Sequence, residues 1–146
     1  MPTFEKITIS VLTNASIGKA WEAFTSPTSI VNWNFASDDW FCPRAINDLK
    51  IGGSFNYRME STDGKIGFDF YGKYTKVIPQ NRIEYILEDE RTVSIEFRQI
   101  GKKTKVIETF DAETENSLEL QRQGWQAILN NFKKHVEENR KLGEKS

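Results

Sequence analysis

The sequence pattern that most restricts the fold lies at the carboxyl-terminal end of the chain. This pattern is typical of a helix with one apolar face. Asn116 is the expected N-cap, with Glu119 three residues on, and Gly143 is the expected stop. The apolar positions with helical spacing are Leu118, Trp125, Ile128, Leu129, Phe132 and Val136. At a rise of ~1.5 Å per residue, a helix of about 25 residues is nearly 40 Å long. A helix of this length needs a broad apolar partner, and we predict that the partner is a β-sheet.

Most of the preceding sequence alternates between apolar and polar residues, as strands with one wet face do. Residues 3–12 form the predicted first strand, and from Asn47 onward the pattern predicts an antiparallel meander. Its turns are expected at residues 62–64, 79–81, 88–90 and 101–102, where Gly, Asn, Asp and Pro interrupt the alternation. The fold class is therefore α+β.

Two short helices are expected between the first strand and the meander. Ser16 is the predicted cap of the first, and Ser26 with Pro27 begins the second, which extends to about Trp33. Residues 34–46 show no clean period, so we interpret them as a loop rich in aromatic residues.

Composition limits both the architecture and the class of partner. A chain of 146 residues with 38% hydrophobic residues and 10 Phe supports one globular domain over residues 1–146 and excludes a disordered chain. Twenty basic and 21 acidic residues give a net charge of -1, which argues against nucleic acid as the main partner. The single cysteine and single histidine, with no secretion signal and no membrane-spanning segment, predict a cytoplasmic protein without a metal or other cofactor.

Gly124 lies inside the predicted terminal helix, where glycine costs about 1 kcal/mol relative to alanine. A close backbone approach would explain it. Access to a cavity beneath the helix and simple packing of another segment are both open interpretations.

Short motifs over nearly the whole chain occur in a defined order and spacing. They are residues 20–24 (AWEAF) with Ser26, Pro27 and Trp33; residues 48–55 (DLKIGGSF); residues 72–74 (GKY) with 77–79 (VIP); residues 82–85 (RIEY); and Gly124 and Trp125 with Leu129. This set resembles the activator of heat-shock protein 90 ATPase homologue family, within the START-like (SRPBCC) superfamily.

The resemblance implies a helix-grip fold, in which a curved antiparallel sheet holds a long terminal helix across a cavity. The superfamily includes lipid and hormone carriers, polyketide cyclases, resistance proteins and co-chaperone domains. The shared scaffold therefore implies a cavity and leaves its use open.

Several features that could carry chemistry are better explained structurally. Cys42 and His135 are the residue types of a thiol nucleophile and its base, but no third group is suggested to orient them. The lysines after Gly101 lack the remaining glycines of a phosphate-binding loop. The acidic runs at residues 38–39 and 88–90 fall in loops, where solvated charge is ordinary.

Glu108 differs because the strand parity that turns Val106 and Phe110 inward also turns this carboxylate inward. The family usually has an apolar residue at this position. A buried carboxylate needs a partner or a proton. A salt bridge to an arginine such as Arg58 and a contact to a ligand are equally open interpretations.

We therefore expect a domain that binds a small, apolar or lipid-like molecule without catalysing a reaction. The alternatives are a cyclase or hydrolase using the same cavity, with Glu108 or an aspartate as general acid or base, and a chaperone-binding module using the outer surface. The protein would act as a monomer or homodimer. The candidate ligand-binding residues are Trp33, Trp40, Phe55, Tyr57, Phe70, Tyr85, Phe97, Glu108, Trp125, Leu129 and Phe132.

Overall fold

Seven antiparallel strands form one curled sheet, and a long helix lies across it. The computed structural model describes residues 4–145, with side-chain surroundings for residues 4–138. The elements are β1 (Lys6–Thr13), α1 (Ile17–Thr25), α2 (Pro27–Ile30), β2 (Trp40–Asn47), β3 (Ser54–Ser61), β4 (Gly67–Ile78), β5 (Arg82–Leu87), β6 (Thr92–Ile100), β7 (Lys103–Asp111) and α3 (Leu118–Lys145). The strand order is β1-β7-β6-β5-β4-β3-β2, so β2 to β7 form an antiparallel meander, of which β3 to β7 match the prediction, and β1 closes beside β7. The α+β helix-grip prediction is confirmed.

Alternation along the strands separates the two faces of the sheet. In β1 the residues Ile7, Ile9 and Val11 are buried while their neighbours face water. The first strand begins at Lys6. We expected it to begin at Thr3, which lies outside the described residues. The predicted turns at residues 79–81 and 101–102 are present, with Gln80 and Gly101 at positive φ.

Helix α3 lies along the edge strand β1 and satisfies its free carbonyls. Arg122 donates to the Thr8 carbonyl at 2.9 Å, and Lys133 donates to the Leu12 carbonyl at 2.9 Å. An unpaired strand edge is a template for aggregation, so this cover protects the sheet. The adjacent side of the helix buries Leu129, Phe132 and Val136 in the apolar core.

Helices α1 and α2 close one end of the inner face. As predicted, Ser16 caps α1 by accepting a hydrogen bond from the Lys19 amide, and Pro27 occupies the first position of α2. Trp33, just after α2, is buried and donates its indole N–H to the Ala23 carbonyl at 2.9 Å. The two helices are therefore tied into one unit.

The prediction of a loop over residues 34–46 is wrong in its second half, because β2 begins at Trp40. This strand lies at the edge of the sheet, and its register with β3 shifts between Phe41 and Arg44. Pro43 lies inside that irregularity, where a missing amide donor is tolerated. The shift breaks the period of two, so the sequence shows no strand pattern here.

The ends of α3 differ from prediction. Ser117, not Asn116, caps the helix, since its hydroxyl accepts from the Leu120 amide at 3.1 Å. Both residue types are good caps, so adjacent positions compete and sequence does not separate them. Leu118 is 47% exposed and does not belong to the buried face. The helix continues past Gly143 to Lys145, because one glycine among helix-forming residues costs too little to end it.

The expectation of a close approach at Gly124 is also wrong. A Cβ built at this position would meet no atom within 4 Å. Neither a packed backbone segment nor a crowded contact therefore requires glycine here.

Candidate functional site

A cavity of about 220 Å³ lies between the inner face of the sheet, α3 and the α1–α2 unit. Its walls come from seven parts of the fold. The lining residues are Phe24 and Thr25 at the end of α1; Trp33 and Asn34 after α2; Tyr57 and Met59 on β3; Phe68, Phe70 and Tyr74 on β4; Ile83 and Tyr85 on β5; Glu108 on β7; and Trp125, Ile128 and Leu129 on α3. Phe68 is also 48% exposed, which places the mouth of the cavity at its ring.

Seven of the predicted site residues line this cavity. They are Trp33, Tyr57, Phe70, Tyr85, Glu108, Trp125 and Leu129. Their contribution to ligand binding remains a prediction.

Four predicted residues lie elsewhere. Phe55 is buried one layer deeper, with its ring 4.7 Å from that of Tyr85. Phe97 and Phe132 both pack against Phe24, with ring centroids 5.5 and 5.2 Å from its ring. Trp40 lies on β2, where its ring contacts the Phe68 ring at 5.7 Å beside the cavity mouth.

Sequence reasoning did not select eight of the lining residues. They are Phe24, Thr25, Asn34, Met59, Phe68, Tyr74, Ile83 and Ile128. Strand parity and helical spacing place most of these on the inner face, so a signal existed for them. Thr25 is the last residue of α1 and Asn34 follows α2, so neither position has such a signal.

Among the described residues that line the cavity, Glu108 is the one Asp, Glu, Lys, Arg or His, and it is buried at 8% exposure. Its neighbours across the two flanking strands are Ile9 and Ile95. Within the described part of the chain the carboxyl has no hydrogen bond and no ion pair. Burial in these apolar surroundings raises the pKa of Glu108 to about 8. The carboxyl therefore carries a proton at neutral pH in most molecules.

The interpretation in which Glu108 forms a salt bridge with Arg58 is wrong. Arg58 alternates with Tyr57 and Met59 along β3, so it points to the opposite face of the sheet. There it pairs with Glu60 at 3.0 Å and with Asp69 at 3.7 Å. No cation reaches the buried carboxyl from this strand.

Tyrosine hydroxyls form the other polar part of the wall. The Tyr57 and Tyr74 hydroxyls interact with each other, and Tyr74 donates to the Asn47 side-chain oxygen at 2.6 Å. Asn47 in turn donates to the Thr25 carbonyl at 2.7 Å. Burial, and then the nearby Glu108 charge, raise the pKa of Tyr85 well above its usual value. These tyrosines therefore remain protonated.

Cys42 does not have the environment of a catalytic thiol. Cys42 on β2 is buried and donates its thiol to the Arg44 carbonyl at 3.4 Å. Burial raises the pKa of this thiol, so the reactive thiolate is suppressed. No group of three or more metal-ligating side chains occurs among the described residues. In the same part of the chain, no helix is long and apolar enough to span a membrane.

The chain is similar to known proteins over most of its length. Residues 14–137 match the family model for the Activator of Hsp90 ATPase homolog 1-like protein. The AHSA1-like protein from Aeromonas hydrophila is 39% identical with a TM-score of 0.83, and the match covers 91% of this chain and 94% of that one. Chr148 from Cytophaga hutchinsonii is 45% identical with a TM-score of 0.80, and the match covers 93% of this chain and 94% of Chr148. NE0264 from Nitrosomonas europaea is 16% identical and shares the fold with a TM-score of 0.79. The match covers 92% of this chain and 96% of NE0264. No curated protein matches the chain.

Proposed function

Because this chain belongs to the Activator of Hsp90 ATPase homolog 1-like family, we propose that it binds a small, mostly apolar molecule in its cavity without catalysing a reaction. The proposal rests on one observation: the cavity of about 220 Å³ has aromatic walls and contains a single unpaired carboxyl. Core side chains normally pack to a density that leaves few voids larger than a water molecule. An apolar cavity on the order of 150 Å³ accommodates benzene, so this one has room for a ring with a short substituent.

Binding is favoured over catalysis by the chemistry of the wall. Glu108 supplies one acid, but the lining contains no serine, cysteine, histidine or lysine to act as nucleophile or partner base. Thr25 uses its hydroxyl to donate to the Trp21 carbonyl at 2.8 Å. A cyclase or hydrolase would therefore depend on Glu108 alone.

A chaperone-binding role is the second candidate, and the family resemblance together with exposed apolar residues favours it. Ile46, Ile51 and Ile66 are 65%, 69% and 61% exposed. Such side chains lie outside the cavity. A substitution that fills the cavity would leave a chaperone surface intact, which separates the two candidates.

The test compares a filled cavity with an unchanged one. Ile128 is partly buried in the wall, so Ile128→Phe should fill part of the space. Leu120 on the same helix is 56% exposed, and Leu120→Phe is the matched control. Native mass spectrometry of the purified proteins, with NMR titration by indole and p-cresol, measures occupancy.

We expect the probes to shift the resonances of Trp125 and Tyr85 in the wild type and in Leu120→Phe, and to do so much less in Ile128→Phe. Equal shifts in all three proteins would contradict binding in the cavity. So would a wild type that carries no ligand and responds to neither probe.

A further inference from the structure

We propose that the cavity selects a small aromatic amine, with its ammonium group against the Glu108 carboxylate and its ring between the aromatic side chains of β4, β5 and α3. This inference rests on the proposed binding function and names the ligand class. Three properties of the wall carry it, namely its charge, its aromatic surfaces and its size.

The Glu108 carboxyl, once it releases its proton, matches a cation and no other kind of ion. Glu108 is buried without a partner among the described residues, and the lining contains no lysine, arginine or histidine. A carboxylate or phosphate ligand would find no compensating charge in this space. A neutral apolar ligand would leave the carboxyl unpaired, whereas an ammonium would supply the partner that the fold does not.

Aromatic rings line the cavity in which the cation would lie. Phe70 contacts both Trp125 and Tyr85, with ring centroids 6.1 and 6.4 Å apart. All three rings line the same cavity as Glu108. The faces of aromatic rings attract cations, and they attract them more strongly where water is excluded. The same rings offer edge and face contacts to an aromatic ligand.

The volume limits the ligand to a single ring with a short side chain. About 220 Å³ is below the ~300 to 1,000 Å³ typical of sites for drug-sized molecules. 2-Phenylethylamine is a probe of suitable size and charge. 2-Phenylethanol and phenylacetate are close in size, but the first is neutral and the second is an anion.

Proton release provides a signature that a merely apolar cavity would not give. The groups around Glu108 are Ile9 from β1, Ile95 from β6, Tyr85 from β5, and Trp125, Ile128 and Leu129 from α3. Tyr85 is the titratable one, and its raised pKa keeps it protonated throughout. With a pKa of about 8, Glu108 loses about 0.9 proton at pH 7 when an ammonium pairs with it. Amine affinity should therefore rise about tenfold between pH 6 and pH 7.

The experiment is calorimetric titration of the full chain with the three probes, in buffers of different ionisation enthalpy. The variants are Glu108→Gln, which removes the charge at nearly constant shape, and Glu115→Gln, which removes an exposed carboxylate as a matched control. We expect the wild type and Glu115→Gln to bind the amine at least tenfold more tightly than the alcohol, to reject phenylacetate, and to release a proton. In Glu108→Gln, amine affinity should fall at least tenfold while alcohol affinity stays within twofold.

The outcomes distinguish this inference from the function on which it rests. Binding of the alcohol as tight as that of the amine, or amine binding that survives Glu108→Gln without proton release, would overturn the amine proposal and leave the cavity as a binding site. Failure of all three probes in the wild type would overturn both. The proton count in the wild type does not depend on any variant, so the test stands even if a substitution disturbs folding.

Discussion

The Trp125 indole lies face to face with the Phe110 ring, with ring centroids 4.0 Å apart and planes inclined by 8°. Phe110 follows Glu108 by two residues on the inner face of β7, so the stack joins α3 to the sheet beside the buried carboxyl. Trp125 also forms part of the cavity wall. One contact therefore contributes both to the attachment of the helix and to the shape of the site.

Trp125→Ala should lower the free energy of unfolding by roughly 2 to 4 kcal/mol. Large-to-small changes of aromatic core residues cost ~3 to 5 kcal/mol, and the partial exposure of Trp125 places it toward the lower end. Leu118→Ala, at an exposed position of the same helix, should change stability by less than about 1 kcal/mol. Chemical denaturation measures both, and a loss below about 1 kcal/mol for Trp125→Ala would show that the stack contributes little.

Glu108→Gln should stabilise the protein at pH 8 and have little effect near pH 5. The folded carboxyl has a pKa of about 8 against 4.5 for the ordinary group, so the folded state holds a proton that the unfolded state releases between these values. The free energy of unfolding of the wild type must then fall as pH rises from about 4.5 to about 8. One pKa unit corresponds to about 1.4 kcal/mol, so the total fall is several kcal/mol at most. The glutamine variant lacks this slope. Unfolding curves at several pH values measure it.

Glu115→Gln is the control and should keep the wild-type dependence on pH. If Glu108→Gln instead loses stability mainly at neutral pH, the carboxylate is charged and paired in the folded protein, and the description of an unpaired group fails.

Turn residues and strand parity predicted most of the sheet. Gly101 and the residues around Gln80 marked hairpins correctly, and the parity of β7 placed Glu108 inside. The edge strand β2 was missed, because an edge strand with one neighbour tolerates Pro43 and an irregular register that erase the period.

Parity also could not separate the cavity wall from the packed core. Phe55 and Tyr57 share one face of β3, yet only Tyr57 reaches the cavity. Which of the two side chains reaches the cavity depends on where α3 and the α1–α2 unit end above the sheet. The positions of these helices are set by packing between elements, which has no local signal in the sequence.

Gly124→Ala should raise stability by about 0.5 to 1 kcal/mol. Alanine favours the helix by this amount over glycine, and the new methyl group would meet no atom within 4 Å. Gly72→Ala is the opposite case, since its methyl group would lie 2.9 Å from both the Ile86 carbonyl oxygen and the Phe55 ring. We expect Gly72→Ala to destabilise the protein. Thermal or chemical denaturation of the pair tests the contrast, and a loss of stability in Gly124→Ala would mean that the helix needs glycine there.

Asp111→Ala should destabilise the protein by roughly 1 to 3 kcal/mol at neutral pH, because Asp111 joins three strands at the end of β7. Its carboxylate accepts from the Lys6 ammonium of β1 at 2.6 Å and from the Thr92 amide and hydroxyl of β6 at 2.8 and 2.9 Å. Burial alone would raise the pKa of Asp111, but these hydrogen bonds outweigh it and hold the pKa below the usual 3.8. The contribution of Asp111 is therefore complete above pH 3.8 and is lost as pH falls through the lowered folded pKa. Lys6→Met, which removes only the largely exposed cation, should cost less than Asp111→Ala. Denaturation of the wild type and Asp111→Ala at pH 7 and near pH 2 measures the loss of stability. The loss should be present at pH 7 and shrink in acid. A loss of the same size at both pH values would show that the charge of Asp111 contributes nothing.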